Sequence, residues 1–176
     1  METKLSVRKI SEMREVTMSS EALAKEDDGS VVEDTYYMIR RPGMNLTILP
    51  EYRLGREYPK TYGHFHEPES EETYEVLLGE AAILIQRGTD PVEEIKLIKL
   101  KKGDSFTVPK GYAHSLINLG EGPVVTLDDY DPAEFRNNYD PIREKRGFAH
   151  YLLEEDKELK ATPNSNYAEV PSLKIS

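Results

Sequence analysis

From Met44 onward the apolar residues arrive in short runs closed by glycine, proline or charged turn residues: Met44 to Leu49, Tyr74 to Leu78, Ala81 to Ile85, Ile95 to Leu100, Ser105 to Val108, His114 to Asn118 and Pro123 to Leu127. Short runs of this kind, rich in Val, Ile, Thr and Tyr, predict strands. Gly88-Thr89-Asp90-Pro91, Lys102-Gly103-Asp104 and Gly120-Glu121-Gly122-Pro123 supply reversals between them. Many short strands joined by tight turns predict an all-β chain, folded as an antiparallel sandwich or barrel. Ahead of the strands, residues 6–13 mix apolar and charged positions, and Ser20 to Glu26 are expected to form one short helix started by a serine cap. Behind them Glu134 to Arg146 is polar, Phe148 to Leu153 predicts one more strand, and the polar tail from Asp156 is expected to lie along the surface. The division is one domain over 1–176: an N-terminal arm (1–30), a core at about 31–130 and a C-terminal extension (131–176).

Charge narrows the partners. The chain has 33 acidic and 23 basic residues and a net charge of −10. Binding to nucleic acid or to an anionic membrane is driven by clustered Lys and Arg, so neither is expected as a partner. With no cysteine, thiolate catalysis, disulfide scaffolds and iron-sulfur clusters are excluded, and a metal site must use nitrogen and oxygen ligands. No apolar run approaches the roughly 18 residues of a membrane span, and the N-terminus lacks the pattern of a secretion signal. A cytoplasmic protein is the expectation.

Histidine placement carries the chemistry. Of four histidines, two stand in Gly63-His64-Phe65-His66 and a third follows in Tyr112-Ala113-His114. Side chains two apart on a strand share a face, so His64 and His66 form a bidentate clamp that Glu72 and His114 can complete from neighbouring strands. Three imidazoles and one carboxylate suit iron, manganese, nickel, cobalt or zinc alike. The remaining acidic cluster, Glu67, Glu69, Glu71 and Glu75, reads as a solvated loop, and His150 as a surface or sheet histidine.

The spacing then carries a resemblance. His64-x-His66, Glu72 and Gly79, followed by Gly103, Pro109, Gly111, His114 and Asn118, resembles the two signature motifs of the cupin superfamily, with one extra residue before Glu72 and no glycine six positions ahead of His64. Thr61-Tyr62-Gly63-His64-Phe65-His66, Glu72-Thr73-Tyr74, Ile83-Leu84-Ile85-Gln86, Asn118-Leu119-Gly120, Val7-Arg8-Lys9-Ile10-Ser11 and Gly147-Phe148 narrow it to the cupin-type glucose-6-phosphate isomerases. That likeness implies a jelly-roll-like cupin β-barrel and a homodimer. It also implies interconversion of glucose 6-phosphate and fructose 6-phosphate, in glycolysis and gluconeogenesis, with one divalent ion per subunit, commonly Fe2+. The ligands it carries over are His64, His66, Glu72 and His114. Glu72 and Tyr130 become catalytic residues, with Glu72 moving a proton between C1 and C2 through a cis-enediol and a hydride shift as the rival mechanism. Sugar phosphate binding falls to Thr47, Thr61, Gly63, Tyr74, Tyr36 and Tyr139.

The chain departs from this family after Tyr130. Where members carry Tyr-Pro-x-Asp-x-Gly-His-Asp-Tyr, it reads Tyr130 to Tyr139 with Arg136 or Asn137 in place of the histidine. The alternative is therefore a non-catalytic or altered-specificity sugar-phosphate-binding cupin. A cupin dioxygenase has only the metal ligands in its favour.

Overall fold

The computed structural model describes residues 3–26, 28–131 and 133–176. Its strands are β1 (Lys4–Lys9), β2 (Ala24–Lys25), β3 (Val31–Val32), β4 (Asp34–Arg40), β5 (Asn45–Leu49), β6 (Arg53–Leu54), β7 (Phe65–Glu67), β8 (Glu72–Leu78) and β9 (Glu80–Arg87), then β10 (Glu94–Lys101), β11 (Ser105–Val108), β12 (Tyr112–Asn118), β13 (Val124–Asp128), β14 (Arg136–Asn138), β15 (His150–Glu155), β16 (Glu158–Pro163) and β17 (Lys174–Ile175). Two short α-helices, α1 (Ile10–Met13) and α2 (Asp140–Glu144), and a 3-10 turn at Arg14–Val16 complete the described elements. The seven apolar runs read from the sequence all appear as strands.

A six-stranded sheet in the order β1-β4-β5-β13-β8-β11 faces a four-stranded sheet in the order β12-β9-β10-β17. All pairings in them are antiparallel except β10 with β17. The ladders do not join the two sheets into one closed barrel; the jelly-roll-like fold is a sandwich. Strands β5 and β13 show why. Each alternates buried and half-buried residues, so Asn45, Thr47 and Leu49, with Val124, Thr126 and Asp128, point to the inner face. Leu49, Val76 and Val124 join Ile83, Ile85 and Leu116 of the second sheet in one apolar core. Each such side chain contributes about 1.5 to 3 kcal/mol by leaving water.

The opposite face of the four-stranded sheet is covered by the chain itself. Gln86 Oε1 accepts the Ala149 N–H at 2.8 Å, its Nε2 donates to the Tyr167 hydroxyl at 3.2 Å, and that hydroxyl donates to Gly147 O at 2.8 Å. The tail therefore does not simply lie on the surface: β16 pairs with β15, β17 adds to β10, and Asn164 and Tyr167 are buried. Its polar residues misled the reading because Asn164 spends its amide on the Lys145 and Phe148 carbonyls.

The expected helix at Ser20 to Glu26 is absent. Ala24 is buried and pairs with both Val32 and Leu54, while Arg14 Nε donates to Ala22 O at 3.0 Å; these contacts hold the segment extended. The helix of the arm lies earlier, at α1, where Ile10 and Met13 are buried. The outer face of the six-stranded sheet shows Tyr37, Ile39, Leu46, Ile48, Val125 and Leu127 half-buried and Leu5 64% exposed. Among the described residues no helix is long and apolar enough to cross a membrane.

Candidate metal centre and adjoining cavity

Three segments converge at one end of the sandwich. Strand β7 carries His66, β8 opens with Glu72, and β12 carries His114, whose backbone exchanges hydrogen bonds with His64 at 3.1 and 3.2 Å. Gly63 turns the chain into this clamp with φ +84; a Cβ there would lie 2.3 Å from the Phe148 ring, so only glycine fits.

One ligand atom from each of His64, His66, Glu72 and His114 lies within 4.8 Å of every other. Glu72 Oε2 is 3.1 Å from His66 Nε2 and 3.0 Å from His114 Nε2. Ligands about 2.0 to 2.2 Å from a shared ion stand at about such separations from each other. The donor chemistry fits as well. His66 Nδ1 donates to Ser70 O at 2.9 Å, which turns its Nε2 toward the Glu72 carboxylate. His64 Nε2 is buried without a hydrogen-bond partner. Burial, then the neighbouring His114, pushes the His64 imidazole well below its ordinary pKa, so it stands neutral as a ligand must. Burial opposes ionisation of Glu72, yet its contacts with His114 and His66 hold the carboxyl well below the usual range. The residues present fit a divalent cation.

Beside this cluster lies a narrow cavity of about 30 Å³, lined by Tyr36, Met38, Arg40, Thr47, Thr61, Gly63, His64, Glu72, Tyr74, Asp128, Asn137 and Tyr139. The alternation of β4 sends Tyr36 inward and Tyr37 outward. The Tyr36 hydroxyl accepts from Tyr62 N and Arg8 Nε, both at 3.2 Å. Tyr74 OH stands 3.0 Å from His114 Nε2; burial first, then the charges of Glu72 and Asp128, push this phenol well above its ordinary value, so it keeps its proton. The Thr61 hydroxyl accepts from Leu116 N at 2.9 Å and is thus partly committed to the fold.

The predicted residues are brought together with one displacement. Tyr130 lines not the cavity but the groove outside it, its ring 5.0 Å from Phe135. Of the two residues standing for the family's histidine, Arg136 is exposed and pairs with Glu67, whereas Asn137 lines the cavity and donates to Tyr139 OH at 3.1 Å. Pro132, within that stretch, lies outside the described residues. Among the described residues no second cluster of metal-binding groups forms from the acidic loop. His150 is a buried sheet residue, its Nε2 2.9 Å from Pro171 O.

Sequence reasoning missed Arg40, Asp128 and Asn45. Asp128 Oδ1 accepts from Asn45 Nδ2 at 2.8 Å and from Tyr130 N at 3.3 Å. Burial, then the charge of Glu72, pushes this carboxyl up to about 7. The available signal was the alternation of β4, β5 and β13, which puts Arg40, Asn45 and Asp128 on the same face as Thr47.

The family profile described as "Glucose-6-phosphate isomerase (GPI)" matches residues 10–169. The chain is 32% identical over 172 residues to the protein of that name from Thermococcus kodakarensis, covering 93% of this chain and 87% of the relative. It is 30% identical to that of Pyrococcus furiosus, covering 93% and 88%. Among solved structures, the Drosophila melanogaster CENP-C cupin domain aligns at 15% identity and a TM-score of 0.40, covering 66% of this chain and 80% of that one.

Proposed function

Because the chain belongs to the glucose-6-phosphate isomerase family, we propose that it interconverts glucose 6-phosphate and fructose 6-phosphate with one divalent ion, iron in the cell, held by His64, His66, Glu72 and His114. The observation that carries the reading is the convergence of these four donors beside a cavity walled by hydroxyls. A divalent ion there supplies a positive charge that polarises the sugar's carbonyl and steadies negative charge developing on oxygen.

The chain's own groups do the rest. Glu72, ionised and lining the cavity, takes the proton from C2 of the open-chain aldose and returns it to C1. Tyr74, held protonated, gives its hydroxyl proton to O1 as the C1 carbonyl becomes a hydroxyl and recovers one from O2 as the C2 carbonyl forms. Thr47, Thr61, the Gly63 amide, Tyr36 and Tyr139 hold the phosphorylated end, and Tyr130 closes the groove outside.

Isomerisation of fructose 6-phosphate by chelator-stripped protein reloaded with iron, manganese, nickel or zinc tests this. Metal-dependent turnover with solvent deuterium entering the product is expected; turnover without deuterium assigns a hydride shift instead. Binding of the sugar phosphate with no turnover under any metal would leave a sugar-phosphate-binding protein.

The same reading includes a cytoplasmic homodimer. Its support is the outer face of the six-stranded sheet, where Leu46, Ile48, Val125 and Leu127 form a half-buried apolar row. Such a face fits a second copy. Light scattering should give twice the chain mass, and Ile48→Lys should give a monomer.

A further inference from the structure

The mouth of the cavity carries a charge pattern that the four donors leave unexplained. Arg40 ends β4 and lines both the inner cavity and the outer groove. Its guanidinium touches the Met38 sulfur at 3.1 Å and stacks 5.4 Å over the Tyr130 ring. Among the described residues it makes no ion pair. Directly across the β1–β4 ladder its partner is Lys4, on the same face and lining the same groove. Like charges placed opposite each other on neighbouring strands destabilise a sheet. In a chain of net charge −10, where acidic partners abound, two cations left facing each other mark a place for an anion.

The remaining charges agree. Arg8, the third cation of the groove, is already paired with Glu12 at 2.7 Å. Across the cavity stand the carboxyls of Glu72 and Asp128, the first of which would face the proposed divalent ion. Arg40 and Lys4 together bring two positive charges to the mouth, the complement of a phosphate ester's two negative ones. A guanidinium offers that group two parallel hydrogen bonds, which threonine hydroxyls and a lone amide do not.

Building on the sugar-phosphate reading, we propose that Arg40, with Lys4 opposite it, is the phosphate-selecting element of this protein, the pair that distinguishes a phosphorylated from an unphosphorylated sugar. Thr47 lies on the neighbouring strand beside Met38, two residues before Arg40, so hydroxyl and guanidinium act on one end of the ligand.

The test uses two open-chain acids that share a metal-binding carboxylate and differ in the phosphate, 6-phosphogluconate and gluconate, titrated calorimetrically into metal-loaded protein. Arg40→Met should weaken 6-phosphogluconate about tenfold to a hundredfold and leave gluconate and metal content unchanged. Arg40→Lys should restore part of the loss, and Lys4→Met, on an exposed edge strand, should weaken only the phosphorylated acid, by about threefold. Equal losses for both acids would assign Arg40 to the shape of the cavity, and no loss would place the phosphate elsewhere; either overturns the proposal. Since binding is read directly, a protein that selects 6-phosphogluconate through Arg40 yet turns nothing over sinks only the isomerase reading. One that isomerises, with 6-phosphogluconate binding indifferent to Arg40, sinks only this one.

Discussion

At its deep end the cavity is made by residues 64–72 and His114, brought together by local strand geometry and one cross-strand bridge. At its mouth it is made by Lys4, Arg8, Arg40, Tyr130, Asn137 and Tyr139, drawn from both extremities of the fold and held by packing between them. Arg8 illustrates the difference: its guanidinium lies 5.2 Å over Tyr62 and 5.4 Å over Tyr139, tying β1 to a segment 131 residues later. The deep end is rigid because its donors are buried and mutually in contact. The mouth depends on long-range docking, so specificity can change there while the chemistry is kept. Two ends built this way should fail separately.

Glu72→Gln is the most severe way to probe the deep end. The amide cannot take a proton, and a loss of about a thousandfold in kcat is expected, with KM changed far less because the mouth is untouched. Gly63→Ala acts on the same end through the backbone. The new Cβ would sit 2.3 Å from the Phe148 ring at a positive φ, and a loss of about 2 to 4 kcal/mol in chemical denaturation is expected. An unchanged denaturation midpoint would show that Phe148 moves aside freely.

These two substitutions fall at positions the sequence already marks, and the reason is geometric. His64, His66 and Glu72 lie within nine residues, so the period of a strand suffices to place them, and the turn before His114 is announced by Pro109 and Gly111. Thr47 and Tyr74 were reachable by the same alternation. The same alternation puts Arg40 and Asp128 on the inner face, but their meeting requires the registers of β4 with β5 and of β5 with β13, the latter pairing Asn45 with Asp128 across 83 residues. Periodicity likewise leaves sandwich and barrel both open and gives no account of the C-terminal residues that cover Gln86, since both follow from which faces find partners. The false helix at Ser20 to Glu26 has the same origin: a local cap signal lost to the pairing of Ala24 with Val32 and Leu54.

Asp128 stands between the two ends and sharpens the comparison through pH. Its carboxyl titrates near 7 in the fold against an ordinary value of 3.8, so the folded chain keeps a proton that the unfolded chain has already released. The stability linked to that proton is complete below about pH 4 and is lost as pH rises to about 7. Asp128→Asn, which resembles the protonated acid, should therefore stabilise the metal-free chain on the order of 1 kcal/mol more at pH 8 than at pH 5. A difference of the opposite sign in parallel melts would mean that Arg40 stabilises an ionised Asp128 in the fold.

Tyr139→Phe is the mildest substitution and bears most directly on whether the ends are separable. The ring packs edge-on against Tyr62 at 5.4 Å and lies 5.3 Å from His64, and a phenylalanine keeps both contacts. Only the hydroxyl is lost, and with it the acceptor for Asn137 Nδ2; Asn137 Oδ1 is already buried without a partner. Freed from that bond, the Asn137 amide is expected to turn, and an unmade hydrogen bond of this kind costs about 0.5 to 1.5 kcal/mol. The expected result is a threefold to tenfold rise in KM with kcat and metal stoichiometry unchanged. If metal content fell as well, the contact between Tyr139 and His64 would be transmitting strain inward, and the centre could no longer be treated as independent of its mouth.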